Sequence, residues 1–156
     1  MNNSIEDMSL ETRKNYDKLM QYLMNYAMFD CHIGVEFTNR LPAYAPSVSY
    51  NEPGKLIIMN ANWPFPTQTP FLLSHEIGHV LHEYEAYFNL NDDTKRSGEA
   101  QENVFAIKLL QKYCIENEFN FSSIYQFARS FAIPQECYYL LADIAQGENY
   151  AWWLHT

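Results

Sequence analysis

His75-Glu76-Ile77-Gly78-His79 puts two imidazoles and a carboxylate within five residues. On an α-helix, residues four apart share a face, so the rings of His75 and His79 can converge on one ion. Glu76 stands about 100° round from His75, within reach of a water on that ion without ligating it. Two nitrogen ligands, with a neighbouring carboxylate that accepts a proton from water, describe hydrolytic chemistry at a zinc ion.

A catalytic zinc takes a third protein ligand and keeps one position for water. His82 and Glu83 are seven and eight residues beyond His75. That is about 10–12 Å along a helix, too far for all three to share one tetrahedral ion. Another element must supply the ligand. Glu99 follows His79 by 20 positions, the separation typical of zinc peptidases with a glutamate as third ligand. Asn103 is four residues further on, on the same helical face. From there it could hold a ligating histidine by the ring nitrogen turned away from the metal, which fixes tautomer and ring orientation. Gly78, costly in a helix interior by about 1 kcal/mol relative to Ala, reads as a place where the second helix comes close.

Elements must position these groups. Tyr16, Leu19, Met20, Leu23 and Ala27 recur at helical spacing, which predicts an N-terminal helix over about 9–28 with Ser9 as its cap. The strand and loop region 30–69 holds three short strand-like runs, His32–Phe37, Ser47–Tyr50 and Lys55–Met59. The last two flank the turn signal Asn51-Glu52-Pro53-Gly54, which predicts a hairpin. Thr69-Pro70 opens the active-site helix over 70–88, since a first-turn proline loses nothing by its missing N–H. Asn89 to Ser97 reads as loop, the third-ligand helix spans 98–117, and further helices fall within 122–147, with Gly147 as a stop. The apolar tail Trp152-Trp153-Leu154 is expected to pack back on the body. The expected fold is a single α+β domain, mostly helical, with a small antiparallel sheet.

Composition narrows the partners. The 156 residues fit one domain, and 47% hydrophobic with 16% aromatic content can fill a core and excludes disorder. Ten basic against 19 acidic residues give a net charge of −9, a poor match for nucleic acid and a better one for basic protein surfaces. Ile124–Leu141 has a helix-turn-helix look. From Glu118 onward, however, Arg129 is the only Lys or Arg, so helix packing or partner docking is preferred over DNA contact. No apolar run reaches the ~18–20 residues of a membrane span, and the polar start lacks a secretory layout, so a cytoplasmic protein is expected. Cys31, Cys114 and Cys137 have no metal-binding spacing and read as reduced thiols, with Cys31-His32 structural. Glu102 reads as a solvated helix carboxylate. His82 is weighed between a transition-state donor and a solvent-facing or capping residue.

Phe71-Leu72-Leu73-Ser74-His75-Glu76-Ile77-Gly78-His79-Val80-Leu81-His82 resembles the signature helix of the ImmA/IrrE metallopeptidases. Glu99-x-x-x-Asn103-x-Phe105-Ala106-x-x-Leu109-Leu110 is similar to that family's second block. The resemblance implies a zincin-like fold, with His75, His79 and Glu99 as zinc ligands and Glu76 as catalytic base. It implies proteolysis of a repressor-type transcription factor, often one encoded by a phage or mobile element. It also implies that an outer strand receives the substrate, for which Leu56–Met59 is the candidate. Three positions depart from the family pattern: Glu102 where Ala is usual, Gln111-Lys112-Tyr113 in place of Met-Pro, and Pro70 where Arg is common. They bear on substrate choice rather than on the ligands or the base. Two other classes stay open: a metal-containing protein that sequesters its partner without cutting it, and a DNA-binding regulator.

Overall fold

The computed structural model describes residues 10–88 and 92–147, the side chains of 10–11, 83–88, 92–99, 143 and 145–147 excepted. Ser9 and the Trp152-Trp153-Leu154 tail thus lie outside the described residues. Helix α1 (Leu10–Asn25) runs into one π-helical turn, Tyr26–Asp30. His32, in the left-handed conformation at φ 57°, then redirects the chain into β1 (Gly34–Thr38). Strands β2 (Val48–Tyr50) and β3 (Leu56–Asn60) form the hairpin across Asn51–Gly54. A 3₁₀ turn, Pro66–Gln68, leads into α2 (Thr69–Phe88), followed by α3 (Asp92–Glu116), α4 (Ile124–Ser130) and α5 (Tyr138–Gly147). The fold is α+β, with a three-stranded sheet beside a helical body.

The sheet is mixed rather than antiparallel. Its order is β1-β3-β2, with β3 antiparallel to β2 and parallel to β1 in the register Gly34↔Leu56 to Thr38↔Asn60. The most apolar run takes the centre, where both of its edges are bonded, and the two strands with more exposed residues take the rims. The 39–47 loop makes this possible by carrying the chain past the place β3 will occupy. Two amides at the end of β3 tie it down. Asn60 Nδ2 donates to the carbonyls of Pro42 at 2.7 Å and Ala45 at 3.0 Å. Asn62 Nδ2 donates to those of Asn39 at 2.8 Å and Leu41 at 2.9 Å.

Helix α3 begins at Asp92, inside the stretch expected to be loop. Thr69, which the Thr69-Pro70 pair at the start of the active-site helix offers as its cap, instead has helical angles (φ −59°, ψ −41°) as the 3₁₀ turn passes into α2. Leu23 and Ala27, Ile57 and Met59, Leu73 and Ile77, Ile107 and Leu110, and Phe127 close one shared core, each such large side chain worth about 1.5–3 kcal/mol of burial. All three cysteines are free, Cys114 and Cys137 buried and Cys31 half-buried. Burial pushes the Cys137 thiol up to about 11.

Candidate metal centre

Helix α2 has two unlike faces. Leu73, Ile77 and Val80 point into the core, and His75, Gly78, His79 and His82 line the side that meets α3. α2 and α3 pack together more extensively than any other pair of elements among the described residues. Low in α2, the Ser74 hydroxyl donates to the Pro70 carbonyl at 2.8 Å, which satisfies a fully buried polar group inside the helix itself.

The rings of His75 and His79 stand side by side, centroids 4.7 Å apart and planes at 77°. His75 Nδ1 donates to Asn103 Oδ1 at 2.9 Å. An amide oxygen only accepts, so this contact puts the proton on Nδ1 and the lone pair on Nε2, the tautomer that ligates a metal. Both histidines, Glu76 and Asn103 are half-buried. Glu99 lies in α3 one turn before Asn103, on the same helical face, and its side chain is outside the described residues. Among the described residues no set of three or more His, Cys, Asp or Glu side chains is grouped to hold a metal. Two imidazoles on one helical face, one of them oriented from behind by an amide oxygen, nonetheless fit two of the nitrogen positions of a zinc site.

Glu102 departs from its reading as a solvated carboxylate. It is 3% exposed, and its Oε2 accepts from His82 Nδ1 at 3.0 Å. The cause sits in the other helix. A Cβ on Gly78 would lie 2.5 Å from Glu102 Oε2 and 3.0 Å from Phe105 Cδ1. Glycine opens a notch in α2, and the carboxylate fills it. Counting along α3 alone could not find this contact; the spacing of His82 three residues after His79, together with the interior glycine, is the signal that points to it. The strand Leu56–Met59, expected at the rim, is in β3 at the centre of the sheet and bonded on both sides. It cannot accept an added strand. The rim strand packed on α2 is β2, whose following Asn51 donates from Nδ2 to the Val80 carbonyl at 3.0 Å.

Residues 33–136 match the peptidase family profile described as the IrrE N-terminal-like domain. No curated protein matches the chain. Among solved structures, a Mycobacterium tuberculosis transcriptional regulator is similar in fold, with a TM-score of 0.50 at 16% identity. The likeness covers 74% of this chain and 38% of the regulator's. Among the described residues no helix is long and apolar enough to cross a membrane.

Proposed function

Because the chain belongs to the IrrE N-terminal-like domain family of peptidases, we propose that it is a zinc-dependent endopeptidase. Its substrate in this reading is a DNA-binding repressor of a phage or mobile element, cut in the cytoplasm. The observation that carries the reading is the His75–His79 pair with Asn103 on the Nδ1 of His75. His75, His79 and Glu99 would hold the zinc, and Asn103 keeps His75 in its ligating tautomer. When bound, the metal supplies Lewis acidity, polarising the scissile carbonyl and lowering the pKa of a water toward ~7. Glu76 takes a proton from the attacking water and hands it to the leaving amine, so that one water is consumed and a carboxylate and an amine are released. An extended substrate segment would lie along the outer edge of β2, which the Asn51–Val80 bond ties to the ligand-bearing helix.

The test is incubation of the purified protein with the repressor encoded beside its gene, with and without chelator. Glu76→Gln is expected to keep zinc and lose cleavage by at least ~100-fold, the usual scale of a general base. A Glu76→Gln protein that still inactivates an uncut repressor overturns proteolysis in favour of sequestration.

A further inference from the structure

We propose that His82 and Glu102 are a positioning pair that sets the register of α3 on α2 and so holds Asn103 on the ring of His75. The inference rests on the zinc reading above and adds to it a pair of residues that acts through Asn103. A carboxyl group buried to 3% exposure is costly unless it is hydrogen-bonded, and the His82 Nδ1–H at 3.0 Å supplies a bond. The seat is specific. Oε2 occupies the space that any side chain at position 78 would take, and Phe105 closes the same notch from the next turn of α3. The Phe105 ring also stands edge-on to His82, centroids 5.4 Å apart at 85°.

Glu102 and Asn103 are consecutive, yet they reach histidines seven residues apart on α2, so their two contacts bracket His79. A helix that slips by one residue moves about 1.5 Å and turns about 100°. Either displacement would take Asn103 off a 2.9 Å bond. The carboxylate in its notch opposes both. Glu102 therefore acts on the metal site through Asn103, much as a key fixes two shafts.

The experiment is zinc affinity of the full chain, read by competition with a chromophoric chelator. Melting of the metal-free protein and the visible spectrum of the cobalt-substituted protein are recorded beside it. Glu102→Ala and His82→Ala are each expected to weaken zinc binding by about 10–100-fold, the usual cost of losing a partner behind a metal ligand. The double variant should be no weaker than the worse single one, and the cobalt spectra should shift. Glu102→Gln, whose amide oxygen still accepts from His82, is expected to restore affinity to within about threefold. A folded Glu102→Ala protein that melts lower but binds zinc as tightly as wild type overturns the proposal, because a merely structural pair behaves that way. If Glu102→Ala does not fold, Gly78→Ala presses on the same carboxylate from the other side and carries the same expectation. Wild-type protein that binds no zinc, or His75→Ala that binds as well as wild type, overturns the zinc reading itself. Tight wild-type binding with Glu102→Ala unchanged overturns the pair alone.

Discussion

Gly78→Ala sets two effects of known size against each other. Replacing an interior helical glycine by alanine is worth about 1 kcal/mol in helix propensity. Against this, the new methyl would stand 2.5 Å from Glu102 Oε2 and 3.0 Å from Phe105 Cδ1. Relieving the first contact requires the carboxylate to move by about 1 Å, which stretches its 3.0 Å bond to His82 beyond hydrogen-bonding range. Losing a charge-assisted bond at a buried group costs about 1.5–3 kcal/mol, and overpacking adds about 1–3 kcal/mol. The steric side wins by about 1.5–5 kcal/mol. Urea unfolding of the metal-free protein followed by circular dichroism should show a lower midpoint with an unchanged slope. In a Glu102→Ala background the same substitution should cost at least ~1 kcal/mol less, because the group it strikes is gone. Neutral or stabilising behaviour of Gly78→Ala, or strict additivity of the two changes, would refute the notch.

Two further expectations concern the rest of the molecule. Asn60→Ala removes donors to Pro42 and Ala45 and the acceptor of the Asn62 amide at 2.8 Å. At about 0.5–1.5 kcal/mol for each of the three bonds it should destabilise by about 1.5–4.5 kcal/mol in the same assay; a loss below ~0.5 kcal/mol would mean that these amides do not hold the 39–47 loop. Burial, aided by nearby acidic groups, pushes the phenols of Tyr22 and Tyr26 up to about 12 from the ordinary 10. The fold thus favours the protonated phenol. Its contribution is complete below pH 10 and is lost as pH rises toward 12. The melting temperature should fall across that window, and less steeply in a Tyr22→Phe, Tyr26→Phe protein; parallel curves would contradict the assignment.

What could be seen in the sequence was what local spacing encodes. The four-residue interval between His75 and His79 presupposes a helix, and their rings do stand together on one face of α2. Asn51-Glu52-Pro53-Gly54 between strand formers implies the hairpin that β2 and β3 make. Features decided between distant segments stayed hidden. Alternation along Leu56–Asn60 does not say which strands flank it, and the parallel pairing with β1 depends on side-chain amides of Asn60 and Asn62 reaching carbonyls 15 to 23 residues away. The burial of Glu102 is set by the absence of a Cβ in another helix. The interval from His79 points to Glu99, whose side chain lies outside the described residues.

The rim strand beside α2 is only three residues long. A visiting chain laid along it could gain two to four ladder bonds, each worth about 1 kcal/mol net. That sum, ~2–4 kcal/mol, corresponds to millimolar affinity at best. Backbone pairing of this reach can align a peptide but cannot select one, so discrimination would have to come from side chains of the strand itself, such as the exposed Tyr50. An enzyme built this way would ignore most unfolded polypeptide and act where a folded target brings a second surface to the encounter.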